Sequence, residues 1–149
     1  MVAYFSAEGT TAAAAKAVAA ELNAELFEIR PAAPYTAEDL NRMNKRSRSS
    51  AEMADAGCRP AMAEDKDVAG YDTILLGFPI WWYVEPRIID TFLGKHDFSG
   101  KTIVPFATSG GSGIGRAAAR MKELCPAAHW REGARITAES AAAWARRLQ

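Results

Sequence analysis

Val2-Ala3-Tyr4-Phe5-Ser6-Ala7-Glu8-Gly9-Thr10-Thr11 decides how the rest of this chain is read. The first four residues are a short apolar run, the pattern of a strand. From about Thr10 to Leu22 the chain is rich in alanine and sets Ala14, Val18 and Leu22 four residues apart, on one face of a helix. Between strand and helix lies a turn of hydroxyls and one glycine that opens directly into the helix N-terminus. The first N–H groups of a helix lack intrahelical acceptors and the positive end of its dipole converges on them, so an anion fits there. Ser6, Thr10 and Thr11 add hydroxyl donors, and Gly9 lets the backbone approach closely. Phosphate is the expected anion. Taken alone, the turn reads equally as a plain helix cap, because Ser and Thr are favoured caps.

Strand and helix patterns go on alternating. A second strand is expected over residues 24–29, with Leu26, Phe27 and Ile29 apolar, stopped by Pro31 and Pro34. Thr36 and Asp39 resemble a capping box, with Leu40 and Met43 as the buried stripe of a short helix. The segment 44–67 is polar, contains Gly57 and Pro60, and is long for a connection, which points to a functional or mobile stretch. Thr73-Ile74-Leu75-Leu76-Gly77-Phe78 is a continuous apolar run, as in a strand covered on both faces. Pro86 suits the first turn of a helix buried through Ile89, Phe92 and Leu93. Residues 101–107 make another apolar strand. A glycine-rich turn and a helix with Ile114, Ala118, Met121 and Cys125 in register follow. Residues 129–136 form a weak edge strand, and a last helix buries Ala141, Trp144, Ala145 and Leu148. Five strands alternating with helices predict an α/β fold: one domain over residues 1–149, with a doubly wound parallel sheet between two helical layers.

Composition narrows the classes. Of the 149 residues, 49% are hydrophobic and 24% charged, an ordinary globular balance. Eighteen Lys and Arg offset eighteen Asp and Glu, which gives no electrostatic case for nucleic acid or an anionic membrane. The cluster Lys45-Arg46-Ser47-Arg48 reads as a solvated loop. No apolar run approaches the ~20 residues that span a bilayer. Met1 leads straight into the first strand without a signal-peptide pattern, so a cytoplasmic location is expected. Cys58 and Cys125 are isolated and form neither a zinc site nor a disulfide framework; they read as small, partly buried side chains.

In a doubly wound sheet, ligands bind beyond the carboxyl ends of the strands, where strand order reverses. Three of those ends carry unusual loops. The first is the hydroxyl turn, which lacks both the Gly-Lys-Ser/Thr of a P-loop and the Gly-x-Gly-x-x-Gly of a dinucleotide turn. The second is Gly77-Phe78-Pro79-Ile80-Trp81-Trp82-Tyr83-Val84-Glu85-Pro86, whose flat side chains can stack on a conjugated ring. One of its two tryptophans is expected to cover the core instead, because neighbours in a loop rarely point the same way. The third is Thr108-Ser109-Gly110-Gly111-Ser112-Gly113-Ile114-Gly115, a backbone able to present N–H groups to a ligand edge and to change conformation. A phosphate socket, an aromatic wall and a hydrogen-bonding rim match flavin mononucleotide (FMN).

In these three loops, in this order and spacing over nearly the whole chain, the sequence resembles the short-chain flavodoxin family. The resemblance implies the strand order 2-1-3-4-5 with FMN at the switch point. It implies that Ser6, Gly9, Thr10 and Thr11 hold the phosphate, with Glu8 contributing its backbone N–H. Pro79, Ile80, Trp81 and Trp82 would line the ring, and Thr108, Ser109, Gly110 and Gly111 would bond its pyrimidine side. Glu8 stands where the family usually has Thr or Ser. A carboxylate about 4 Å from a phosphate costs roughly 1 kcal/mol even in water, so its side chain is expected to face solvent. Tyr83 stands where glycine is common. The neutral charge differs from the acidic surface of pure electron carriers. The leading expectation is therefore an FMN-binding redox protein with no catalytic acid or base, served by a redox partner protein or by NAD(P)H. The alternatives are an NAD(P)H-dependent FMN or quinone reductase on the same fold, and a flavin-free binding module.

Overall fold

In the computed structural model, which describes residues 1–149, the chain runs β1 (Val2–Tyr4), α1 (Thr10–Leu22), β2 (Leu26–Glu28), α2 (Arg48–Ala54), β3 (Thr73–Pro79), α3 (Arg87–Lys95), β4 (Thr102–Thr108), α4 (Gly115–Leu124), β5 (His129–Trp130), β6 (Ala134–Arg135) and α5 (Ala141–Arg146). The strands are parallel in the order β2-β1-β3-β4-β5, and β6 also pairs with β4. The expected α/β architecture and strand order are present.

The two-residue period of a strand sorts the apolar side chains onto two faces. Ala3, Phe5, Ile74, Leu76, Phe78, Ile103 and Ala107 enter one core with Ile88, Ile89 and Phe92 of α3 and Ala117 and Met121 of α4. Val2, Tyr4, Leu75, Val104 and Phe106 enter the other with Ala14, Ala15 and Val18 of α1 and Ala141, Trp144 and Ala145 of α5. The inward face of α1 is mostly alanine, so this helix packs close to the sheet and against α5. Gly77 lies directly opposite Phe106 in the β3–β4 register. A Cβ at Gly77 would stand 2.3 Å from Phe106 Cζ, so the ring lies over the bare glycine backbone.

The fifth strand is a correction to the simple five-strand expectation: it is broken into β5 and β6. Ile103 O accepts from Arg131 N, and Ala107 O accepts from Ile136 N, so the odd-numbered residues of β4 aim their polar groups at this edge. Pro105 is the odd residue between them and has no N–H to give, so the ladder is interrupted there. Gly133 fills the gap, with its ideal Cβ position 2.3 Å from Pro105 O.

The connection from β2 to β3 differs most from the sequence reading. The Thr36–Asp39 box forms, each backbone N–H donating to the other's side chain. Only turns follow it, and Met43 is 88% exposed, so the expected helix with a Leu40–Met43 stripe is absent. The helix of this segment is α2, within the stretch read as a polar connection. Ser47 caps it by accepting from Ser50 N. Arg48 is not solvated loop: it pairs with Glu52 at 3.0 Å, and its guanidinium lies 3.8 Å from the centre of the Tyr35 ring.

Gly77→Ala is expected to lower unfolding stability by about 1–3 kcal/mol through overpacking against Phe106. Gly94→Ala, on the exposed side of α3 with nothing near its Cβ position, is expected to raise it by about 0.5–1 kcal/mol. Urea unfolding at constant slope measures both, and equal effects would contradict the packing at Gly77.

Candidate cofactor site

The register brings the three loops to one level. Tyr4 pairs with Gly77, and Pro79 pairs with Thr108, so β1, β3 and β4 deliver their carboxyl ends to the same edge. The loops are also tied to each other. Ile80 N donates to Thr108 O, and the buried hydroxyls of Thr11 and Thr108 are hydrogen-bonded at 2.7 Å. These two expected ligand residues are thus tied to one another through their hydroxyls, joining the start of α1 to the end of β4. Thr11 also has an N–H with no protein acceptor.

In the first loop Gly9 adopts φ +96°, a left-handed conformation suited to glycine, and caps α1. Ser6 Oγ accepts from Gly9 N at 3.0 Å. The N–H groups of Ala7, Glu8, Thr10, Thr11 and Ala12 have no protein acceptor. Five free donors at a helix N-terminus suit a phosphate. Glu8 and Thr10 are exposed at the surface of this turn. A cavity of about 320 Å³ opens beside it, against Phe5, Ser6, Ala7 and Tyr35.

The second loop separates its two tryptophans. Trp81 is half-buried and makes edge-on contacts with Phe5 and Tyr35, at centroid distances of 5.6 and 5.4 Å. Tyr35 is itself fixed, donating to Glu52 Oε1 at 2.5 Å. Burial and that bond push its hydroxyl well above the usual tyrosine range. Trp81 and Val84 exchange backbone hydrogen bonds of 2.9 and 3.1 Å, closing a two-residue hairpin with Trp82 and Tyr83 at its tip. Both tip residues have positive φ, +48° and +72°. Such tips favour Asn-Gly, and bulky side chains there are strained. The rings stand out, Trp82 44% and Tyr83 59% exposed, with the Arg116 guanidinium 5.3 Å from the Tyr83 centroid. Pro79 and Ile80 are half-buried beneath them.

In the third loop Ser109 Oγ accepts from Gly111 N, while Gly110 and Gly111 are exposed. Ser6, Glu8, Gly9, Thr10 and Thr11 thus surround one end of the site. Pro79, Ile80 and Trp82 lie at the second loop, and Ser109, Gly110 and Gly111 at the third. Trp81 turns toward the interior. The sequence reading missed Tyr35, which packs on Trp81, and Arg48 and Glu52, which hold Tyr35; Tyr35 lies between Pro34 and the Thr36–Asp39 box, outside any strand or helix pattern.

A doubly wound sheet with a donor-lined turn and an aromatic hairpin at its switch point defines a flavodoxin-like protein. A family model described as flavodoxin matches residues 1–147, and the chain belongs to that family. Its structure is similar to that of a Bacteroides eggerthii protein provisionally described as a flavoprotein: 48% identity, 99% of this chain and 95% of that one covered, TM-score 0.92. A Bacteroides uniformis protein of the same provisional description matches at 47% identity, over 98% and 96% of the two chains, with TM-score 0.93. A Lactobacillus acidophilus flavoprotein solved in complex with FMN shares the fold at 20% identity, over 96% and 95%, with TM-score 0.75. No curated protein matches this chain.

The hairpin tip carries a stability prediction. Replacing its residues by the favoured pair, Trp82→Asn with Tyr83→Gly, is expected to stabilise the FMN-free protein by about 1 kcal/mol or more by relieving left-handed strain. An unchanged or lower urea midpoint would show that the tip is not strained.

Proposed function

We propose that this protein is a redox carrier that moves electrons through FMN held at the switch point. The observation that carries the reading is the cluster of five acceptor-free N–H groups at the start of α1, level with the aromatic hairpin and the glycine loop. FMN is the cofactor, and it supplies reversible electron uptake; the chain binds it, orients it and sets its surroundings. In this reading Ser6, Glu8, Gly9, Thr10 and Thr11 hold the phosphate, largely through backbone N–H groups. Ile80 and Trp82 flank the ring on a base of Pro79, and Trp81 braces that wall from within. The backbone of residues 108–111 meets the pyrimidine edge. The natural electron donor is a partner protein or NAD(P)H.

One observation favours a reductase as the second reading. Trp82, Tyr83 and Arg116 leave aromatic faces and a cation exposed beside the site. A cation over an aromatic face suits an incoming anionic dinucleotide. Anaerobic NADPH separates the two: rapid bleaching of the bound flavin makes the protein a reductase, and no bleaching makes it a carrier.

The purified protein is expected to show flavin absorption bands, or to quench its tryptophan fluorescence saturably on FMN titration. Trp82→Ala removes an exposed ring and should leave stability within about 0.5 kcal/mol. The same change should weaken FMN by about tenfold through lost stacking. A colourless protein with no response to FMN would leave only a flavin-free module on this fold.

A further inference from the structure

Two buried carboxyl groups sit beneath the cofactor loops. Glu85 is fully buried, and Asp90 on α3 is 2% exposed. Arg120 of α4 donates Nη1 to both, 2.5 Å to Glu85 Oε2 and 2.6 Å to Asp90 Oδ2. Glu85 Oε1 and Asp90 Oδ1 receive no hydrogen bond from any donor. Sharing one Arg120 Nη1 holds the two carboxyl groups side by side. Ionised carboxylates only accept, so the two can hydrogen-bond each other only when the pair holds a proton. Burial, then the hydrogen bond and the charge of Asp90, push the Glu85 carboxyl up to about 9. The proton belongs to the pair.

The other charges around the pair are committed elsewhere or stand further off. Arg87 spends Nε and Nη2 on the carbonyls of Glu52, Met53 and Asp55, leaving Nη1 3.8 Å from Asp90 Oδ2. Arg59, after α2, also stands 3.8 Å from Asp90 Oδ2, while it donates to Ala56 O and Cys58 O. Glu52 faces Tyr35 and Arg48. Asp55 and Cys58 lie beside Arg87, and Lys95 shares a surface cavity with Arg59 and Asp90.

Position gives this cluster its consequence. Glu85 directly follows the Trp81–Val84 hairpin, and Arg120 rides the helix that begins where the glycine loop ends. We infer that Glu85, Asp90 and Arg120 are positioning residues for the cofactor site, a clamp that sets the aromatic hairpin against the glycine loop while one proton is shared and loosens when it leaves. When the proton passes to solvent, two adjacent buried carboxylates repel across the lost hydrogen bond, and the Glu85 segment moves with its hairpin. The inference rests on the FMN reading.

Glu85→Gln tests it, because glutamine keeps the shape of the protonated acid and cannot lose the proton. The first readout is FMN affinity between about pH 8 and 10, where wild type is expected to weaken by up to about tenfold per unit above the pair's transition and Glu85→Gln to weaken less. Titrations of the ligand itself are common to both proteins and cancel. The second readout is unfolding of the FMN-free protein. The folded pair holds its proton more tightly than the unfolded chain does, so its contribution to stability is complete below about 4.5 and is lost as pH rises through about 9. Wild type should therefore lose stability across that window relative to Glu85→Gln. Equal FMN binding at pH 7 with superimposable pH profiles overturns the clamp and leaves the FMN reading intact. If neither protein binds FMN at pH 7, the cofactor reading fails and the positioning role fails with it.

Discussion

Parallel strands can be joined only by crossovers, and those crossovers are right-handed. From β1 the chain crosses by α1 to β2 on one side. It then returns past β1 to β3 and proceeds by α3 to β4 on the other. The handedness rule places α1 and α3 on opposite faces of the sheet. The chains leaving β1 and β3 therefore diverge, and the space between them at the carboxyl edge is left for a ligand. Both cores, the helix pairing of α1 with α5, and the level at which three loops emerge follow from this. The Thr11–Thr108 hydrogen bond joins the two sides of that opening without closing it.

Much of this frame is legible in the sequence because it is written in long, one-sided patterns. The runs at 74–78 and 103–107 carry no charged or hydroxyl side chain and read as strands buried on both faces. The alanine-rich stretch after the hydroxyl turn reads as a helix with one buried face. The segment from 30 to 67 defeated such reading for a different reason. The inward face of α2 holds Ser49, Glu52 and Met53, only one of them apolar. It is fixed by polar bonds to distant residues, Arg87 and Tyr35 among them, and periodicity carries no trace of those. The Thr36–Asp39 box shows the converse: a helix-start signal formed locally, but no buried stripe followed to extend it. The fates of Trp81 and Trp82 likewise depend on the hairpin between them and on Tyr35, far off in sequence.

The unfavourable features of this fold gather in one region. Left-handed backbone at two bulky residues and the buried Glu85, Asp90, Arg87 and Arg120 all lie at or just below the cofactor edge. Burying such charges costs several kcal/mol unless they are paired and hydrogen-bonded. Strain and buried polarity cluster where a site must be held in a set geometry, and the arginine contacts to the end of α2 carry that region's order outward into the long connection.

The break at Pro105 has a consequence for the chain's company with its own copies. An exposed strand edge is a template on which another chain can add its own strand, the first step toward amyloid-like stacking. Here one border of the sheet is the three-residue β2, and the other is two dipeptides separated by a kink. Neither offers the run of evenly spaced donors and acceptors that an incoming strand needs. A proline inside a penultimate strand, which weakens one ladder, thus also leaves the molecule with no long free border on which self-association by strand addition could begin.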